Sequence, residues 1–231
     1  MIKEIKTKDH LFLALEKDIF INECLEQHGY WEKPTMDVCR DYLKNNSYII
    51  EVGAHIGSHT VILSELCKDG IIYSFEPQKL IFQLLNANLL LNTCENVYTY
   101  MEAASDENKI EYIGEVDYKN LNGFNSGNFS LKNLKEHEGY PIHTIQLDVK
   151  FSKIKKLDLI KIDAEGHEMP ILKGAKELIK KFKPLILTEF DYKNKQEIID
   201  LLPEYNFEDI SYNYQINGLT YPNLMFKGTF R

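Results

Sequence analysis

The feature that most constrains this chain is a rhythm. Short apolar runs alternate with longer stretches of helical period. Tyr48–Val52, Ile71–Phe75 and residues 97–101, 157–162 and 185–190 are strand candidates bounded by turn residues. Between them, residues 58–67 put Ile62 and Leu66 on one side of a helix. Leu80, Ile81, Leu84, Leu85 and Leu89 form a second helical stripe, and Ile171, Leu172, Ala175, Leu178 and Ile179 a third. A short helix near 195–202 and late strands at 207–212 and 224–230 complete the pattern. Strands alternating with helices predict an open α/β sheet covered on both faces.

Two regions depart from the rhythm. At the N-terminal end, Leu11, Leu15 and Ile19 recur at four-residue steps with Phe12 and Phe20 beside them, which predicts an amphipathic helix. A second helix follows Pro34 through Met36, Cys39 and Leu43. Residues 1–46 therefore read as a helical lead-in to a single domain spanning 1–231. Residues 107–147 carry Gly114, Gly123, Gly127, Gly139, many asparagines and two short strands, Lys109–Ile113 and 142–147. At about forty residues this insertion exceeds an ordinary connection and is a candidate lid or substrate-binding element.

Bulk properties narrow the function. At 231 residues the chain can bury a sizeable core, and 44% apolar with 27% charged residues is a globular balance. A net charge of -8 argues against a general nucleic-acid or anionic-membrane binder. The basic run 150–156 reads as a solvated face. No apolar stretch is long enough to span a bilayer, and residues 1–9 lack the apolar core of a signal peptide. Cys24, Cys39, Cys67 and Cys94 are scattered without metal-ligand spacing, as expected of reduced thiols in a cytoplasmic protein.

In an open α/β sheet, ligands bind beyond the carboxyl ends of the strands. The first such end reads Glu51-Val52-Gly53-Ala54-His55-Ile56-Gly57. Gly53 can leave the strand at angles closed to other residues, and Gly57 lets a helix start close to the sheet. The spacing is G-x-x-x-G rather than G-x-G-x-x-G, so the glycine that admits a pyrophosphate is missing. A cofactor without phosphate is favoured over NAD or FAD. The second end places Glu76 nineteen residues after Gly57, before Pro77, where a carboxylate suits a ribose diol. The third offers Ala103 and Ala104, small enough for a flat ring, with Ser105 or Asp106 to meet its amino group. The fourth, residues 161–170, crowds Asp163, Glu165, His167 and Glu168 behind Lys161. Alternation puts Lys161 and Asp163 on one side of that strand. Glu189, ending the fifth strand, could orient a substrate hydroxyl or a histidine.

Together, "EVGAHIGSHT" (51–60), "FEP" (75–77), "NVYTYMEAASD" (96–106), "IQLD" (145–148), "LIKIDAEGHEMPILKGA" (159–175) and "PLILTEF" (184–190) resemble the FkbM family of S-adenosylmethionine-dependent methyltransferases. The resemblance implies a class I methyltransferase, Rossmann-like sheet of about seven strands, mostly parallel with an antiparallel C-terminal hairpin. It implies S-adenosylmethionine as cofactor, its methionine part near Glu51, Gly53, Ala54, His55, Gly57 and Thr60. Glu76 and Pro77 would hold the ribose and Ala103, Ala104 and Ser105 the adenine, with Asp163 and Glu165 facing the reactive centre. "NSGNFSL" (125–131) resembles a segment covering the active site. His55 stands where the family usually has Asn, and Glu51 where it often has Asp.

Relatives mostly methylate oxygen on sugars or small natural products, so a carbohydrate or small-molecule hydroxyl is the expected acceptor. The candidate general bases are His167, Asp163 and His55, and no metal is expected. Tyr30 and Trp31 are placed to stack on a sugar or to serve as core or dimer contacts. A monomer or homodimer is expected, with neither a membrane nor a nucleic acid as partner. Two alternatives stand beside this reading: RNA ribose or cap methylation, and a non-catalytic methyltransferase-like binding or scaffolding protein.

Overall fold

The computed structural model describes residues 2–114, 139–190, 194–216 and 219–230. It opens with a hairpin, not a helix. Strand β1 (Ile2–Lys6) pairs antiparallel with β2 (Leu11–Leu15), Ile5 opposite Phe12. Helix α1 follows only at Ile19–His28, then α2 at Lys33–Tyr42. The helix expected from Leu11, Leu15 and Ile19 is thus corrected for its first half. The run Leu11–Leu15 is apolar at every position, so it fits either period. Tertiary partners decide between them, as shown below.

The central sheet then builds up as the rhythm predicts. Its elements are β3 (Tyr48–Val52), α3 (Ser58–Leu66), β4 (Ile71–Phe75), α4 (Lys79–Leu91) and β5 (Val97–Tyr100). Three short strands, β6 (Glu102–Ala104), β7 (Lys109–Ile113) and β8 (Tyr140–Ile145), make a separate sheet in the order β6-β8-β7. Residues 115–138 of the expected insertion, including 125–131, lie outside the described residues. The chain continues through α5 (Leu147–Lys150), β9 (Leu159–Ile162), α6 (Glu168–Gly174), α7 (Lys176–Phe182), β10 (Leu185–Glu189) and α8 (Lys195–Leu201). It ends with β11 (Tyr205–Asp209), β12 (Tyr212–Ile216), β13 (Leu219–Asn223) and β14 (Met225–Phe230).

The seven-stranded order is β11-β14-β10-β9-β3-β4-β5. Strands β5, β4, β3, β9 and β10 run parallel, and β14 is antiparallel to β10 and β11. This is the class I methyltransferase arrangement with its reversed C-terminal strand. The sequence pattern did not separate the β12–β13 hairpin inserted between β11 and β14. The third helical stripe is two helices, broken where a Cβ on Gly174 would sit 2.0 Å from the Ser105 carbonyl oxygen.

Alternation along each strand divides the core. Ile50, Val52, Ile160 and Ile162 pack with Leu147, Phe151, Ile171 and Leu178 on one face. Ile49, Leu159 and Leu187 pack with Met36, Cys39, Ile62 and Leu63 on the other. A third cluster joins the N-terminal hairpin and α1 to the start of α3 and to α4 through Phe12, Ile21, Leu25, Ile56 and Leu85.

Two asparagines one helical turn apart fix that hairpin. Asn88 Oδ1 accepts from the Leu13 N–H at 2.6 Å, and its Nδ2 donates to Leu13 O at 3.0 Å and Ile56 O at 2.7 Å. Asn92 does the same for Leu11, at 3.1 and 2.8 Å. The side chains of α4 thereby stand in for a neighbouring strand. They satisfy the outward-facing backbone groups of Leu11 and Leu13, which is what makes Leu11–Leu15 extended. Asn88→Ala should lower stability by about 2–4 kcal/mol, because it leaves buried backbone groups without partners. Urea denaturation checks this; a change under about 0.5 kcal/mol would contradict the clamp.

Candidate active site

A cleft opens at the carboxyl ends of the parallel strands and holds about 1130 Å³ of atom-free space, its mouth included. Its floor begins with the loop after β3. Gly53 has φ 79°, and a Cβ there would lie 1.8 Å from the Asp163 carbonyl oxygen, so only glycine lets the β3 and β9 loops meet. His55 has φ 51°, in the left-handed region where Asn, Asp and His are the side chains found most readily. His55 is thus of a residue type that this turn admits. Gly57, with φ 87°, brings α3 against α4, where a Cβ would sit 2.8 Å from Leu85 Cδ1.

Glu76 ties two loops together. Its Oε2 accepts from the His55 N–H at 3.0 Å and its Oε1 from the Gln78 N–H at 2.8 Å. Burial pushes its pKa up to about 7, against the pull of those two hydrogen bonds. Glu51 is fully buried beneath the loop, where Thr60 and Ser74 donate to its Oε2 at 2.7 and 2.9 Å. Burial raises its pKa too, with Lys161 opposing.

The end of β9 is the densest part. Lys161 and Asp163 share a side of the strand, Nζ 3.3 Å from Oδ2. Beyond them Glu165 (φ 49°) and Gly166 (φ 89°) turn the chain. Buried Glu168 holds that turn, accepting from Gly166 N at 2.8 Å and Ala164 N at 3.3 Å. Burial, then Asp163 and other carboxylates, pushes Glu165 up to about 8. Glu189, at the end of β10, is pushed up to about 10 by burial and then by Asp163, Glu165, Glu168 and Glu32. His167 Nε2 lies 3.1 Å from Ser105 Oγ.

The N-terminal elements supply the rest of the lining. Phe20, Ile21, Trp31 and Glu32 border the cleft. Buried His59 has its Nε2 3.2 Å from the Trp31 carbonyl and 3.6 Å from Glu32 Oε2. Burial, with Lys161, holds His59 well below the ordinary imidazole range. His55 Nε2 stands 3.8 Å from Asp18 Oδ2, and burial outweighs that carboxylate to lower its pKa.

Of the residues singled out in the sequence, Gly53, Ala54, His55, Glu76, Pro77, Ala103, Ala104, Asp163, Glu165 and His167 line this one cleft. Glu189 joins them. Glu51, Gly57, Thr60 and Ser105 lie outside the lining: Glu51 and Thr60 support the loop, Gly57 seats α3, and Ser105 backs His167. Sequence reasoning missed Ile21, Glu32, Ser58, His59, Gln78 and Glu102 as lining residues. Ser58, His59 and Glu102 lie inside the quoted motifs and Gln78 adjoins one, which was the available signal. Nothing in the sequence brings Ile21 or Glu32 to a strand end. Among the described residues no cluster of three or more His, Cys, Asp or Glu side chains is arranged to hold a metal ion.

Sheet order and cleft position define the class I methyltransferase fold. Comparison with known proteins narrows this. The model of the methyltransferase FkbM domain matches residues 51–208, and the chain belongs to that family of S-adenosylmethionine-dependent methyltransferases. Methyltransferase 1 of Beauveria bassiana (strain ARSEF 2860) is 25% identical over 179 residues, covering 69% of this chain and 66% of that protein. The crystal structure of methyltransferase FkbM from Methylobacillus flagellatus KT is similar with a TM-score of 0.54 at 17% identity. That match covers 80% of this chain and 44% of the other, so the chain spans less than half of that protein. Precorrin-6y C5,15-methyltransferase from Geobacter metallireducens GS-15 shares the fold with a TM-score of 0.57 at 12% identity, covering 94% of both chains.

The crowded carboxyls have a measurable consequence. Folded Glu165 and Glu189 hold their protons up to about 8 and about 10, against an ordinary value of 4.5. The unfolded chain has already lost both protons at pH 7, so the folded state binds more protons and stability falls as pH rises. His55 and His59, which act in the opposite sense, are half-titrated in the unfolded chain at 6.5 and lose most of their remaining charge by about pH 7.5. Between pH 7 and 8.5 stability should therefore decline by about 1 kcal/mol per pH unit, and Glu189→Gln should flatten that slope. Chemical denaturation at three pH values checks it; stability rising over this window would overturn the burial argument.

Proposed function

We propose that the chain, as one methyltransferase domain over residues 1–231, transfers a methyl group from S-adenosylmethionine to a hydroxyl oxygen of a sugar or another small molecule. One observation carries the reading. A single cleft at the strand ends combines Gly53, Glu76 and the two alanines with Trp31, Phe20, carboxyl groups and His167, and its described lining contains no Lys or Arg.

The residues fit the cofactor. Each Glu76 oxygen accepts one backbone N–H and keeps lone-pair capacity for a hydroxyl donor of a ribose. Ala103 and Ala104 are buried and small, which leaves room for a flat ring. Glu51 Oε1, beneath the glycine loop, is a buried oxygen without a hydrogen-bond partner, an acceptor suited to a bridging water. When bound, S-adenosylmethionine supplies an electrophilic methyl carbon on a cationic sulfur. The lining carboxyl groups other than the protonated Glu165 and Glu189 complement that positive charge.

The acceptor side needs orientation and proton removal. Trp31 and Phe20 offer apolar faces to a sugar ring. Glu165 and Glu189, kept protonated at neutral pH by burial, can donate hydrogen bonds to acceptor oxygens. His167 is the first choice to take the hydroxyl proton, before Asp163 and His55. A nucleic acid would bring phosphates to a cleft whose described lining has no cation to meet them. No helix among the described residues is long and apolar enough to cross a membrane. The free cysteines suit a reducing cytoplasm.

Calorimetric titration with S-adenosylmethionine, beside NAD, tests the reading. Micromolar binding of the first and none of the second is expected; binding of NAD alone would overturn it, and binding of neither would favour a scaffold. Glu76→Ala should weaken cofactor affinity at least about tenfold, or about 1.4 kcal/mol, if the melting temperature shows it folded. Asp163→Asn should keep that affinity and lower turnover of an acceptor found by screening sugars. Unchanged affinity in Glu76→Ala would remove the ribose assignment.

A further inference from the structure

We propose that an acidic oligosaccharide docks beside the cleft, on a surface made by Tyr48, Tyr73, Tyr98 and Tyr100 with the basic segment 150–156, so that its end reaches the cleft at Glu102. The use of this surface in catalysis rests on the reading of the chain as a sugar methyltransferase; the docking itself does not.

The tyrosines share one face of the sheet at its edge. Tyr48 starts β3, Tyr73 lies on β4, and Tyr98 and Tyr100 lie on β5, the edge strand. Tyr73 pairs in register with Tyr98, and Phe75 with Tyr100. The rings of each pair stack, with centroids 5.8 and 4.9 Å apart, and Phe151 lies against Tyr73 at 4.7 Å. Tyr98 is 56% exposed and alone of the four is not half-buried. Burial, then Tyr100, Tyr48 and Tyr98, raises the Tyr73 pKa, as expected of four phenols near one another. None of their hydroxyls has a hydrogen-bond partner among the described residues.

Segment 150–156 borders this surface at both ends. Lys150 Nζ lies 3.9 Å from the Tyr100 ring centroid, and Lys156 Nζ 5.9 Å from that of Tyr48. Both are paired, Lys150 with Glu102 at 2.6 Å and Lys156 with Asp158 at 3.3 Å. Between them Lys153 and Lys155 are exposed and have no ion pair among the described residues. These uncompensated cations stand on a chain whose net charge is -8. Glu102 completes the link, because it also lines the cleft.

The chemistry of the surface selects its ligand. Phenol hydroxyls both donate and accept, as a polyol requires, and an exposed tyrosine ring suits a sugar ring. Lys153 and Lys155 favour a sugar that carries carboxylates. A single-stranded nucleic acid needs a free ring for each stacked base and cations along its backbone. Here Tyr73 and Tyr100 are already packed against Tyr98, Phe151, Phe75 and Lys150.

Calorimetric titration of the whole protein with hexamers of galacturonate and of mannuronate tests this, with maltohexaose as the neutral control and a uridine oligonucleotide as the nucleic-acid probe. At least one acidic hexamer should bind about tenfold more tightly than maltohexaose, and more weakly as salt rises. The double variant Lys153→Glu, Lys155→Glu should lower that affinity at least about fivefold, and so should Tyr98→Ala. Melting temperatures show whether the variants are folded; should Tyr98→Ala not fold, the exposed lysine pair still reads the surface. Acidic hexamers bound no more tightly than maltohexaose, or binding unmoved in the variants, would overturn the proposal. So would tighter binding of the oligonucleotide that is lost in the same variants. S-adenosylmethionine titrated in parallel separates the two readings. Hexamer binding without cofactor binding would keep the docking surface and remove the methyl-transfer reading; cofactor binding without hexamer binding would do the reverse.

Discussion

A buried ammonium holds the carboxyl end of this sheet together. Lys161 on β9 pairs in register with Glu51 on β3, and both are fully buried. Stripping water from a lone ammonium would cost several kcal/mol or more. Burial does work against the charge, yet Asp163, Glu32 and Glu51 outweigh it and hold the Lys161 pKa above its ordinary value. The dependence is mutual. Glu51 is burdened by burial and relieved first by Lys161. The same ammonium helps keep His55 and His59 neutral. One cation in the middle of the sheet thus sets which groups around the cleft carry charge.

Backbone strain is concentrated in the same place. Five non-glycine residues among those described have positive φ, and three of them, Glu32, His55 and Glu165, border the cleft. Such conformations cost about 1–3 kcal/mol each and persist only where the surroundings over-determine them. Here the surroundings are identifiable. Glu76 accepts from the His55 N–H, the N–H groups of Ala164 and Gly166 close on Glu168, and His59 meets Glu32. The rim is held in shape by carboxyl groups bonded to the backbone, which is how a site becomes preorganised before a ligand arrives.

The sheet was legible because its strands are apolar on both faces and stand between helices with a clear stripe. The strand ends were legible for the same reason: once the strands are placed, Gly53, Glu76, Ala104 and Asp163 must converge. Illegible parts share a physical cause, which is that distant residues decide them. Leu11–Leu15 suits a helix or a strand until Asn88 and Asn92 bind its backbone. The stripe from Ile171 to Ile179 reads as one helix until the Ser105 carbonyl meets Gly174. Ser105 looked like a ligand contact because it follows β6, yet its hydroxyl faces His167 from behind the lining. Glu32 reaches the cleft from a loop that no strand-end argument covers.

The position of that loop shows how the two walls of the cleft are coupled. The family match begins at residue 51, whereas Phe20, Ile21, Trp31 and Glu32 all precede it. Residues outside the family's shared region therefore complete a cleft whose floor is inside it. Asn88 spans the two. Its amide binds both sides of this division, Leu13 in the hairpin and Ile56 in the glycine loop. The hairpin and α1 also share a hydrophobic cluster with Ala54 and Ile56. The N-terminal wall of the cleft is thus anchored on the glycine loop that begins its floor. Side chains of that wall can change while Asn88 and this cluster keep its distance from the glycine loop.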